Sequence, residues 1–249
     1  MASVPANPLS SHFPGAFMKS MTPDIYLVDG NITLFYGSHS EGYKKDILHS
    51  SLLAQLIANS TPDTELNAYR KTLSIFSWAT NSFENRRIKK EPSSLLTLAK
   101  TGLSSALTEE QLQQFSNVFT IIKQLPDDSP IIEAILNKTQ REHIPAANPD
   151  TSLPSVKPTF SISMLLTIVR ENKTTLSLQI SFETSRSVDI TILDQVIPEK
   201  TILGDPETFL WTTHLLEEKY DAIRNQVTEK LGSKVDTHLF HVDPTALIH

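Results

Sequence analysis

Apolar and polar residues alternate with a period of two along residues 160–192. Phe160, Ile162, Met164, Leu166 and Ile168 are interleaved with Ser161, Ser163, Leu165 and Thr167. After Glu171-Asn172-Lys173 the alternation resumes. Leu176, Leu178, Ile180 and Phe182 now sit between Thr175, Ser177, Gln179 and Ser181. Thr184-Ser185-Arg186-Ser187 marks another turn, and Val188, Ile190 and Ile192 follow at every second position. Period two places alternate side chains on opposite faces of a strand. The pattern predicts a three-stranded antiparallel meander with one buried and one wet face.

The first half carries a helical period. Ile47, Leu48, Leu52, Leu53, Leu56 and Ile57 make one apolar face, and Leu66, Tyr69, Leu73 and Phe76 make a second. Residues 81–90 read as a strand or extended crossover. Ser93 or Ser94 caps a short helix through Leu95, Leu98 and Leu103. Thr108 and Gln111 form a capping box ahead of Leu112, Phe115, Phe119 and Ile122. Asp128 or Ser129, with Pro130 at the first helical position, opens another helix. Residues 25–36 suggest a hairpin about Asp29-Gly30, although Ile32 to Tyr36 also suit a helix start. A final helix is expected over 213–231, with Leu216, Tyr220, Ile223, Val227 and Leu231 as its stripe and Gly232 at its end. A short strand is expected near 208–212, and another in the tail after Gly232.

Prolines divide the chain. Pro5, Pro8, Pro14 and Pro23 imply a loose arm over 1–23. Pro145, Pro149, Pro154 and Pro158 imply an irregular linker over 141–158. The expected organisation is a single α+β domain over 24–249. Its helical part spans 41–140. An antiparallel β-meander over 159–243, closed by an amphipathic helix, packs against that part.

Composition narrows the function classes. The chain has 249 residues, 39% hydrophobic, with a net charge of -6. That balance argues against a general affinity for nucleic acid or anionic membrane. The absence of cysteine excludes disulfides, thiolate metal sites and thiol nucleophiles. The N-terminus lacks the layout of a secretory signal, so the expected location is the cytoplasm, or outside the cell by a route without a classical signal peptide.

Three segments carry a family resemblance. They are Asp46-Ile47-Leu48-His49-Ser50-Ser51-Leu52-Leu53-Ala54-Gln55-Leu56, then Tyr69 with Leu73, Phe76, Trp78 and Phe83, then Tyr220 with Ile223, Arg224, Val227, Lys230, Leu231 and Gly232. Together, over about residues 40–243, they resemble a family of small, mostly bacterial proteins of unknown biochemical activity. Members usually have Gly before the Trp, where this chain has Ser77. The resemblance implies a helical first half and a sheet-plus-helix second half. It also implies an association with virulence genes of insect- or plant-associated bacteria, and it supplies no catalytic residues.

Candidate chemistry is sparse. His238 and His241, with Asp236 and Asp243 nearby, lack a full ligand set in any one conformation, so no metal site is expected. His214 with Glu217 and Glu218 lacks the second histidine of a zincin helix, and the two acids suit a helix N-terminus. No phosphate-binding, dinucleotide-binding or nucleophile-elbow motif occurs, so neither a cofactor nor a catalytic set is expected. Arg86, Arg87, Lys89 and Lys90 form the one basic cluster, a candidate contact with a partner or an anionic surface. The same charges suit a guarded edge strand.

These observations predict a non-enzymatic interaction or effector-type protein, acting through a protein partner or a membrane. One alternative is a membrane-active, toxin-like protein. The 160–183 hairpin is long enough to span a bilayer at a tilt, and its second face is rich in Ser and Thr. An ordinary half-buried sheet accounts for the same residues through strand propensity. The other alternative is a carrier of a small apolar ligand held between helices and sheet.

Overall fold

The computed structural model describes residues 22–60, 65–143 and 158–243. The expected arm (1–23) and linker (141–158) lie almost wholly outside them. The two-period segments form β5 (Thr159–Val169) and β6 (Thr175–Thr184), paired antiparallel with Thr167 opposite Ser177 and Leu166 opposite Leu178. The third strand of the meander is not 188–192. Ile190–Leu193 is a 3₁₀ turn that Asp189 caps through Thr191 N–H, and Ile192 and Leu193 drop into the core. The Asp189 side chain accepts from Thr191 N–H, and this local cap closes a tight turn in place of the short alternation. β7 (Ile202–Leu215) takes that place, much longer than the short strand expected.

The remaining strands join the same sheet. β1 (Asp24–Val28) and β2 (Asn31–Phe35) form the expected hairpin, with positive φ at both Asp29 and Gly30. Residues 78–87 form β3 (Trp78–Arg87) on the outer side of β7. Residues 141–143, assigned to the linker, belong to β4 (Gln140–His143). They precede Pro145, so each still has an N–H and a free φ. β8 (Leu239–Val242) pairs with β1. The order is β3-β7-β6-β5-β2-β1-β8, with β4 on β5. β4 takes the Thr159–Ile162 half of β5, and β2 runs parallel to the Leu166–Val169 half.

Helices cover both faces. On one lie α3 (Leu95–Leu103), α4 (Glu109–Lys123) and α5 (Pro130–Thr139), each opened by the predicted cap at Ser94, Thr108 and Ser129. Leu98, Phe115, Phe119 and Ile135 bury Ile162, Met164, Leu166, Leu176, Leu178 and Ile180. Burial of this apolar surface stabilises the packing by about 25 cal/mol per Å². On the other face lie α1 (Glu41–Ala58) and α2 (Glu65–Ile75), joined by short C-terminal helices. The helix expected over 213–231 is α6 (Glu217–Asp221) and α7 (Arg224–Leu231), because β7 runs on to Leu215. Tyr220, Val227 and Leu231 still bury their stripe, in the cluster that holds α1. Gly232 has positive φ, and α8 (Lys234–His238) then leads into β8. The fold is α+β, with the helical layer of the first half packed on the strands of the second.

Candidate functional site

Both expected sheet faces exist, but the polar one is only half wet. Odd-numbered residues of β5, β6 and β7 face α1 and α2. At one end these helices cover Thr167, Thr175, Ser177, Trp211 and Thr213, all at most 5% exposed. At the other end the face opens into a groove of about 880 Å³, floored by Ser161, Ser163, Gln179 and Ser181. Thus the sheet surface on the α1 side mixes apolar residues, Leu165, Val169, Trp211 and Leu215, with buried hydroxyl groups.

That contact is poorly satisfied. Thr175 stands opposite Thr213 in the β6–β7 ladder. Both Oγ1 atoms, and Trp211 Nε1 beside them, are buried with no hydrogen-bond partner among the described residues. A buried hydroxyl left unpaired costs about 1–3 kcal/mol. On the α3–α5 face the facing positions of β5 and β6 from Ile162 to Ile180 are apolar, and the buried Thr208 of β7 donates to the Arg86 carbonyl, so no such penalty arises there.

Polar ties around its margin hold α1 in place. Trp78 Nε1 donates to Ser50 Oγ at 3.1 Å. Asn31 accepts from Leu165 N–H at 3.2 Å and donates to Gln55. Arg224 grips Asp46 with two bonds of 2.8 and 2.9 Å, joining α7 to α1. Tyr43 Oη donates to the Lys173 carbonyl at the β5–β6 turn, 3.2 Å away.

His49, buried on α1, adds a pH dependence. Burial disfavours its charged form, and Lys45 adds to this while Asp46 opposes it, so its pKa is lowered. With the folded pKa below the unfolded one, the unfolded chain binds more protons as pH falls below about 6.5. Stability from this group is complete above that value and declines as pH falls towards the folded pKa. Melting temperatures measured from pH 7.5 to 5 are expected to fall more steeply for the native protein than for His49→Gln.

The basic cluster is split. Arg86 and Arg87 lie on exposed β3, where Arg86 pairs with Glu84 and Arg87 with Glu207. Lys89 and Lys90 follow the strand, and Asp205 accepts from Lys90 N–H. His238 Nδ1 lies 3.0 Å from Asp29 Oδ1, whereas His241 packs on the Tyr26 ring. His238 ends α8, whereas His241 lies on β8. Among the described residues no group of three or more His, Asp or Glu is arranged to hold a metal. His214 is on β7, not at a helix start. The unpaired hydroxyls under α1 escaped sequence reading, since alternation shows that two faces exist but not what covers them.

No protein-family model matches the chain, and neither does any curated protein. Solved structures to which the chain is similar include a delta-endotoxin, at 16% identity and a TM-score of 0.40 over 76% of this chain and 82% of the other. They include the activated Cyt2Ba monomer from Bacillus thuringiensis subsp. israelensis, at 13% identity and 0.41 over 76% and 98%. The Evf virulence factor matches at 10% identity and 0.32, over 82% and 81%. Among the described residues no helix is long and apolar enough to cross a membrane.

Proposed function

We propose that this protein is membrane-active and non-enzymatic, and that the β5–β6 hairpin is the segment that enters the bilayer. One observation carries the reading. The two strands, 11 and 10 residues long, place Ile162, Met164, Leu166, Ile168, Leu176, Leu178 and Ile180 on one face and Ser161, Ser163, Thr167, Thr175, Ser177, Gln179 and Ser181 on the other, where Leu165 and Val169 are the apolar exceptions. A bilayer is spanned by about 9–11 tilted residues per strand with alternate side chains facing lipid and water. Lipid would replace α3–α5 against Ile162, Leu166, Leu178 and Ile180. Water would replace α1 against Thr167, Thr175 and Ser177, whose hydroxyls gain partners they lack or share in the folded state. The asymmetry of the layers supports the α1 side as the one that opens.

The carrier reading finds less support. The groove is floored by polar residues, and a second cavity of about 440 Å³ is lined by Tyr36, Gln111, Arg170, Glu171 and Asn172 beside a few apolar groups. Both hollows also have apolar walls, but both are open to solvent, whereas a site for a small apolar ligand buries most of it.

The native chain has no cysteine, so single thiols report without background. Separate Gln179→Cys and Ile180→Cys proteins, labelled with an environment-sensitive dye, would be mixed with phosphatidylcholine vesicles holding a self-quenched fluorophore. Vesicle leakage is expected, with quenching of the 180 label, and not the 179 label, by a lipid-borne quencher. Intact vesicles at high protein-to-lipid ratio, or equal quenching at both positions, would sink the proposal.

A further inference from the structure

We infer that β3 is a docking edge for a second copy of this chain, paired antiparallel about Asn85. The strand is ten residues long, with Trp78 buried, Ala79 half-buried and every residue from Thr80 to Arg87 exposed. Among the described residues it ends the sheet, with β7 on its inner side and no strand on its outer one. Ile88 N–H donates to the Pro206 carbonyl at 2.8 Å, so even-numbered residues turn their backbone groups towards β7. Phe83, Asn85 and Arg87 therefore present theirs on the open side. Such a row of free donors and acceptors is a template for another strand unless something guards it. Within 83–87 there is no proline, and the one bulge lies before it, between Thr80 and Ser82; the charges of Glu84, Arg86 and Arg87 guard the edge against a neutral strand but complement a partner of matching charge.

The occupant follows from charge and register. When β3 meets its own copy about Asn85, Glu84 faces the second copy's Arg86, and Arg86 faces its Glu84. On the groove face Phe83 meets Arg87, again twice. The neighbouring registers that keep the same backbone groups outward fail. A pairing centred on Glu84 sets carboxylate against carboxylate, and one centred on Arg86 sets guanidinium against guanidinium. Opposite charges directly across a ladder stabilise it and like charges destabilise it, so the side chains select one register and one partner. The resulting sheet would be continuous across two copies, with a two-fold axis through Asn85. This pairing does not depend on the bilayer reading.

A thiol at position 85 would lie on that axis. Facing Cα atoms of a hydrogen-bonded pair are about 5.5 Å apart, within disulfide range. Asn85→Cys is therefore expected to form a covalent dimer on mild oxidation at least about tenfold faster than Glu229→Cys, an exposed thiol on α7. Sedimentation velocity of the native chain should show a concentration-dependent dimer. Glu84→Arg should remove it, and Glu84→Arg with Arg86→Glu should restore it, because the pairs are then exchanged. Equal cross-linking rates at 85 and 229, a monomer at all concentrations, or a Glu84→Arg dimer as tight as the native one would each overturn the inference.

Discussion

Replacing Thr175 and Thr213 together by valine is expected to raise the melting temperature and to slow vesicle leakage. The two side chains face each other across β6 and β7, are nearly or fully inaccessible, and have unpaired hydroxyls. Valine keeps the branched shape and removes the desolvated group. Where a buried polar group has no partner, its exchange for an apolar group of the same shape is neutral to stabilising. The pair is expected to gain about 1–3 kcal/mol. A 1 kcal/mol gain raises the midpoint of a domain of this size by about 2–4 °C. If α1 must leave this surface before the hairpin enters lipid, the same energy is added to the opening barrier, at about tenfold in rate per 1.4 kcal/mol. The expected pattern is a more stable and less active protein, the usual trade where strain serves function. Thermal unfolding and leakage rates on one preparation check it. A destabilised double variant would show that the hydroxyls are satisfied, and a stabilised variant with native leakage would remove α1 release from the mechanism.

Gly30→Ala is expected to be the most damaging small substitution in the chain. Gly30 has φ +79°, which costs an L-residue about 1–2 kcal/mol. An added Cβ would lie 2.3 Å from the Ala134 carbonyl oxygen and 2.5 Å from Lys138 Cβ. The first is helix backbone of α5, which cannot step aside without disturbing its packing on the sheet. Overpacking of this kind adds about 1–3 kcal/mol. Gly204→Ala serves as the comparison, since Gly204 has φ +81° and nothing near its absent Cβ. Chemical denaturation should place the Gly30 variant about 2 kcal/mol or more below the Gly204 variant, with only backbone strain visible in the second. Equal losses at the two sites would show that α5 does not press on the β1–β2 turn.

Much of the architecture was legible wherever a local rule acts alone. The caps at Ser94, Thr108 and Ser129 are where short-range hydrogen bonding places them. The Asp29-Gly30 turn follows from the need for positive φ at two successive residues. The β5–β6 hairpin follows from its period. Sequence reading went astray where a local pattern was compatible with two structures. Residues 188–192 fit both a strand and a capped 3₁₀ turn. Residues 213–215 fit both a helix start and a strand end, and pairing with β3 and β6 decided for the strand.

The sequence by itself determined which residues of β5 and β6 share a face, because side-chain alternation is a property of the extended backbone. It also determined that one of those faces is apolar and the other rich in hydroxyls. Only the tertiary structure decided what covers each face. Helices α3–α5 match the apolar face with apolar side chains, whereas α1 closes over Thr175 and Thr213 without bonding to them. Likewise the charges of β3 could be read in order, but their position at an open edge depends on strand order. Both features arise from contacts between segments far apart in the chain, which no local period encodes.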